Sequence, residues 1–168
     1  HGKNASSNKA TTWYGFSVYF PSQHTKFSGR DKSLFFQLHG GKDRNGEPNR
    51  VPPLALLLKE DAFQVDYSWD ANERSISTRG QGQESFDVPV VMSDYKDRWV
   101  DVVIQVRSDP FEEKGFVKMW FNGKQLVNLS NIQIGYNDKN GLYPSYGWYT
   151  AKRAHVLIMY LDEIRHVE

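Results

Sequence analysis

The segment Leu34–Asp43, LFFQLHGGKD, sets a glutamine and a histidine two residues apart, just before a pair of glycines. In an extended strand, residues i and i+2 project from the same face, so Gln37 and His39 are expected side by side. By the same count Phe35 shares their face, while Leu34, Phe36 and Leu38 point the other way. A glutamine amide donates hydrogen bonds to an oxygen anion, and histidine is the side chain that exchanges a proton near neutral pH. Together they suit proton transfer beside a bound acid. The same pattern also describes a half-buried strand whose polar side faces water, so the pair gains a chemical meaning only from other residues.

The elements that would position this pair are short strands separated by turn signals, with little helical periodicity. TTWYGFSVYF (Thr11–Phe20) is closed by Pro21, and SLFFQLHG (Ser33–Gly40) runs into a long polar loop over Gly40–Pro53. LALLLKE and AFQVDYSW read as a hairpin joined through Glu60 and Asp61. The polar stretch Asn72–Gln83 is expected to be exposed, with an edge strand around Ser75–Thr78. DRWVDVVIQVRS alternates Val102, Ile104 and Val106 with Val103, Gln105 and Arg107. GFVKMWFNGKQLVNLS is a hairpin whose Asn122-Gly123 pair suits a two-residue turn with positive φ. SYGWYTA and HVLIMYLDEIRHVE supply two closing strands. This pattern predicts one all-β domain, a sandwich rather than a barrel.

With 168 residues, the chain is long enough for one domain with a real core. It has no apolar run of the ~20 residues that a membrane-spanning helix needs. Without cysteine it forms no disulfide and no thiolate metal site. A net charge of +1 lacks the basic excess of a general nucleic-acid binder, yet leaves room for a local basic cleft. Aromatic residues make up 14% of the chain, which suits either a sandwich core or a groove in which sugar rings stack on flat side chains.

A second segment, YPSYGWYTA (Tyr143–Ala151), completes the pattern. Taken in order, WYGFSVYFP, Gln37-Leu38-His39, PPLALLL, GFVKMWFNGK and GYNDKNGLYPSYGWY resemble the polysaccharide lyases of β-jelly-roll, concanavalin-like fold. That group includes glucuronan lyase, heparin lyase I and, more distantly, the alginate lyases. The resemblance spans nearly the whole chain. It implies two antiparallel sheets, with Gln37, His39 and Tyr149 as catalytic residues facing one another across a concave face and Gly147 beside Tyr149. Where alginate lyases carry a lysine in the second motif, this chain has Ser145, which tilts the reading toward the glucuronan or heparin branch. The families also carry an arginine- and glutamate-bearing strand ahead of Trp-Tyr-Gly, and nothing in His1–Ala10 matches it. The departure implies either a domain over residues 1–168 that lacks this N-terminal strand segment, or a substrate carboxylate held by another residue.

The implied reaction is β-elimination of a uronic-acid-containing polysaccharide. It requires neutralisation of the carboxylate, a base for the C5 proton and an acid for the O4 oxygen. Gln37 can bind the carboxylate, His39 can act as base or donor, and Tyr149 can protonate O4 or, ionised, serve as the base for a C5 proton on its own face. For substrate binding, Gln105 and Arg107 on one strand face, Lys118 and Trp120 on another, and Tyr143 and Ser145 beside Tyr149 are the candidates. Lys42, Arg44 and Arg50 in the long loop could clamp anionic sugars. No cofactor is required by this chemistry. The fold leaves room for a structural calcium near Asp162, whereas YNDKNG (Tyr136–Gly141) lacks the ligand count of a calcium loop and reads as a turn. The expected partner is an anionic polysaccharide met by a monomer outside the cytoplasm, secreted or periplasmic, with no nucleic acid and no membrane. The rival reading is a carbohydrate-binding module of the same fold, which would keep the aromatics and have no need of the Gln37, His39 and Tyr149 set.

Overall fold

Alternation of apolar and polar residues predicts strands buried on one side, and the computed structural model, which describes residues 10–25, 32–59, 62–150 and 156–167, is built from them. In chain order the strands are β1 (Thr11–Tyr19), β2 (Ser33–His39), β3 (Leu54–Leu58), β4 (Ala62–Asp70), β5 (Gly82–Pro89) and β6 (Trp99–Arg107). They continue as β7 (Gly115–Phe121), β8 (Lys124–Ile132), β9 (Gly135–Tyr136), β10 (Tyr143–Tyr149) and β11 (Tyr160–Val167). One sheet has the order β11-β1-β6-β7-β8, and the other β10-β2-β3-β4-β5 with β9 attached to β4. All the long strands pair antiparallel; the two-residue β9 runs parallel to β4. This is the expected jelly-roll sandwich. Among the described residues no helix is long and apolar enough to cross a membrane.

The inner faces of the two sheets meet in one core. From the first sheet come Tyr14, Phe16, Val18, Val102, Ile104, Val106, Met119 and Phe121, and from the second Phe36, Leu38, Leu54, Leu56, Leu58, Phe63 and Val65. Phe16 stacks on Phe36 at 5.4 Å between ring centroids, and Phe63 meets Phe121 edge-on at 4.5 Å, so aromatic contacts tie sheet to sheet. Each such side chain contributes about 1.5–3 kcal/mol through burial.

Most expected elements are present, and the exceptions have physical causes. The β3–β4 hairpin forms, although its connecting Glu60 and Asp61 lie outside the described residues. Asn122 and Gly123 both take positive φ, 48° and 77°, as the β7–β8 turn requires. The edge strand expected around Ser75–Thr78 is absent; the strand on that side is β5, seven residues later. Within β5 only Val88 is buried and Phe86 packs partly against the core, so the apolar alternation is confined to the end of the strand, and pairing with β4 defines the polar part before it. Of the last expected strand, His155 and Glu168 lie outside the described residues, Val156–Met159 are not in a strand, and the strand itself begins at Tyr160.

One irregularity reassigns a face. Leu34 pairs with Leu57 and Phe36 with the next residue back, Leu56, which leaves Phe35 as an extra residue in β2. Phe35 and Phe36 therefore both enter the core, and Leu34 joins Gln37 and His39 on the outer face. The simple count, which put Phe35 on the face of Gln37 and His39, fails at this bulge.

The long loop after β2 is pinned by a buried charge cluster. The Arg50 guanidinium donates to both oxygens of Asp138, each at 2.8 Å, and to the Gly41 carbonyl at 2.7 Å, and lies 3.8 Å from Glu47. It also stacks over the Tyr136 ring at 4.4 Å. Burial works to discharge Arg50, but the hydrogen bonds and charge of Asp138 more than offset it and raise its pKa. Arg50 is thus a structural clamp between two loops, not a free sugar ligand; Arg44 likewise pairs with Asp43 and the Asn137 carbonyl.

Two stability outcomes follow. Arg50→Met should destabilise the fold by about 3–5 kcal/mol in chemical denaturation, because it leaves the buried Asp138 and Glu47 carboxylates without their cation. Tyr146 packs between Phe16 and Phe36, and its hydroxyl is buried without a hydrogen-bond partner among the described residues, with burial pushing its pKa up to about 12. Tyr146→Phe should therefore be neutral or stabilising by up to ~1 kcal/mol in the same measurement.

Candidate functional site

The outer face of the second sheet is where the β2 pair emerges. Cross-strand register sets Tyr143 opposite His39, Ser145 opposite Gln37 and Tyr149 opposite Leu34. Gln37 in turn faces Ala55, which faces Asp66, which faces Ser85. Leu34, Ala55 and Leu57 form a small apolar cluster of their own, separate from the main core, and give this face an apolar floor. Gln37, His39, Tyr143, Ser145 and Tyr149 thus share one open surface. Tyr149 is the most exposed of them at 75%.

His39 is oriented by its own loop. Its Nδ1 is 2.7 Å from the Gly40 carbonyl, an oxygen that can only accept, so Nδ1 carries the proton and Nε2 holds the lone pair. The Tyr143 hydroxyl lies 3.4 Å from the same Nδ1, with the two rings 5.6 Å apart. Gly40 must be a glycine, because a Cβ there would meet the Asp138 carboxylate at 2.6 Å. The Arg50–Asp138 clamp therefore presses on the residue whose carbonyl fixes the His39 tautomer.

Gly147 supplies the other special backbone position. Its φ of +134° is one that L side chains rarely adopt, while a Cβ would meet nothing within 4 Å. The requirement is conformational, and the space above it is open. β10 is irregular between Tyr146 and Tyr149, where Trp148 turns inward against Phe20 and Phe35. Tyr149 is left standing on the open face. Along the strands it lies four to five residues from the level of His39, roughly 15 Å, with the Gln37 level between them.

Four of the expected substrate-binding residues lie elsewhere. Gln105 and Arg107 are on β6, and Lys118 and Trp120 on β7, all in the first sheet and all on the side away from the core. That is the opposite surface of the sandwich from Gln37, His39 and Tyr149. Trp120 there stacks on Trp13 at 5.9 Å, and Lys118 pairs in register with Gln105. Their alternation was as regular as that of β2; strand pairing put them on the back.

Two cations border the far part of this face, and the motifs did not single them out. Lys32, just ahead of β2, donates to Gln64 at 2.8 Å, and Arg79 lines the same cleft as Lys32 and Asp66. The alternating polar residues Gln64 and Asp66 in AFQVDYSW carried a usable signal. The three carboxylates that come within 4.8 Å of one another, Asp43, Glu47 and Asp138, are the acidic group best disposed toward a metal, and Arg50 already supplies a cation to two of them. Asp162 is exposed on β11, where its carboxylate accepts from the Glu163 backbone.

Comparison with known proteins gives the family and the fold. No curated protein is significantly similar to the chain in sequence. Among solved structures, the endo-β-1,4-glucuronan lyase of the fungus Trichoderma reesei superposes with a TM-score of 0.76 at 14% identity, over 95% of this chain and 68% of that one. A mutant alginate lyase in complex with alginate trisaccharide gives 0.63 at 16% identity, over 98% and 73%. The botulinum neurotoxin serotype G binding domain gives 0.55 at 9% identity, over 94% of this chain and 32% of that one, so the sandwich by itself serves unrelated ends. The polysaccharide lyase profile, in contrast, matches residues 1–165, nearly the whole sequence. The chain belongs to the polysaccharide lyase family.

Proposed function

We propose that this lyase cleaves uronic-acid-containing polysaccharides by β-elimination, with Gln37, His39 and Tyr149 acting on one sugar. The observation that carries the reading is the position of these three side chains on one face, with His39 Nδ1 set against the Gly40 carbonyl, which leaves Nε2 of the neutral ring as the acceptor. A pyranose resting over Gln37 has His39 on one side and Tyr149 on the other. The Gln37 amide hydrogens donate to the substrate carboxylate and stabilise the charge that develops when C5 loses its proton. Nε2 of His39 takes that proton, the electron pair forms the C4–C5 double bond, and the C4–O4 bond breaks. The Tyr149 hydroxyl delivers a proton to the departing O4, so one chain end becomes an unsaturated uronate and the other a free hydroxyl. Tyr143, beside His39, holds the imidazole in place.

Glucuronan is the polymer to examine first: its lyase is a structural neighbour, and Ser145 stands where alginate lyases have lysine. A polymeric substrate also fits a secreted or periplasmic enzyme. The direct test is ultraviolet absorbance of unsaturated uronate after incubation with glucuronan, alginate, heparin and related polymers. Absence of that absorbance with every polymer, combined with retained binding, would mark a binding module instead. In the active enzyme, His39→Ala and Tyr149→Phe should each lower turnover by about a hundred- to ten-thousand-fold, with unfolding curves unchanged. Tyr143→Phe should cost far less. The reverse order of the two tyrosine variants would transfer the proton-donor role to Tyr143.

A further inference from the structure

The row Ser145, Gln37, Ala55, Asp66, Ser85 runs across all five main strands of the second sheet, and its far half borders a cleft of about 570 Å³. Lys32, Asp66, Arg79, Gln81, Gln83 and Ser85 line it. Lys32 Nζ donates to Gln64 Oε1 at 2.8 Å and lies 4.0 Å from Asp66 Oδ2. The other oxygen, Asp66 Oδ1, is buried and accepts no hydrogen bond among the described residues. A buried carboxylate oxygen without a donor is costly, and a hydroxyl group would remove the cost. Arg79 is exposed, and its guanidinium has no ion pair or hydrogen bond among the described residues. Among the described residues that line the cleft, Lys32 and Arg79 are the cations and Asp66 is the carboxylate.

We propose that this cleft is a second uronate subsite, in which Lys32 and Arg79 bind a sugar carboxylate while Asp66 Oδ1 accepts from a sugar hydroxyl. The proposal rests on the function argued above and deepens it. Asp66 is two strands from Gln37, roughly 10 Å, farther than one pyranose ring reaches, so the carboxylate held here belongs to a different sugar from the one being cleaved. The polymer then crosses the strands from β10 toward β5. Chain length and charge, not just the reacting sugar, would set affinity. An arginine is suited to this task because its planar fork matches a carboxylate.

The test compares the parent with Arg79→Ala and Arg79→Lys on β-1,4-glucuronan and on its disaccharide and hexasaccharide. Losing one charge-assisted contact should raise KM for the hexasaccharide and the polymer roughly tenfold with little change in kcat. The disaccharide, too short to span both subsites, should show no such rise, and Arg79→Lys should recover part of the affinity. An unchanged KM for the hexasaccharide would overturn the subsite. Should no uronate polymer yield unsaturated ends, the proposed reaction falls, and calorimetric binding of the hexasaccharide still decides the cleft. Roughly tenfold weaker binding to Arg79→Ala than to the parent supports it, and equal binding overturns it.

Discussion

The open face of this lyase depends on the one extra residue in β2. Strand geometry allows each residue one face only, and a regular β2 would put Leu34 in the core and Phe35 outside. Inserting Phe35 against β3 lets two consecutive aromatic residues enter the core. There Phe35 meets Phe20, Phe63 and Trp148, while Phe36 meets Phe16 and Tyr146. The same insertion brings Leu34 out to join Ala55 and Leu57 as an apolar floor beside Gln37 and His39. Core packing and site architecture are therefore set by a single local choice. The burial of two phenylalanines is what holds it.

A second dependency links stability to chemistry through short contacts. The bidentate Arg50–Asp138 pair is buried, and such a pair is an uncertain source of stability compared with apolar packing. Its geometric consequence is more definite. The Asp138 carboxylate lies so close to Gly40 that no side chain fits there, and the Gly40 carbonyl accepts the hydrogen bond from His39 Nδ1. A histidine at the end of a strand, next to a glycine-rich loop, would otherwise be free to turn. The clamp converts a loop of apparent solvated charge into the support for one imidazole.

The two surfaces of the sandwich carry similar residue types to different ends. On the back, Trp13, Trp120, Lys118 and Gln105 interact with one another across β1, β6 and β7, in the manner of cross-strand pairs that stabilise a sheet. On the front, polar groups stand over an apolar floor with few partners of their own, and the far end of the same face holds Lys32, Arg79 and an unsatisfied Asp66 oxygen. The back is thus held by cross-strand pairs, whereas the front sets Gln37, His39, Tyr143 and Tyr149 over an apolar floor.

Period-two alternation and turn chemistry are local properties, and from them the sequence by itself determined an all-β sandwich and most of its strands, while the ordered motifs from Trp13 to Tyr149 carried the resemblance to the polysaccharide lyase family. The Asn122-Gly123 turn and the inward set Val102, Ile104 and Val106 follow directly from such short-range rules. Only the tertiary structure decided which sheet each strand joins, because pairing partners are distant in the chain: β2 pairs with β10 across about a hundred residues, and β6 pairs with β1 instead. That long-range choice removed Gln105, Arg107, Lys118 and Trp120 from the front, extended β5 through the polar residues ahead of Phe86, and turned Arg50 inward to Asp138. The β2 bulge belongs to the same class, since an extra residue is defined only against the strand beside it.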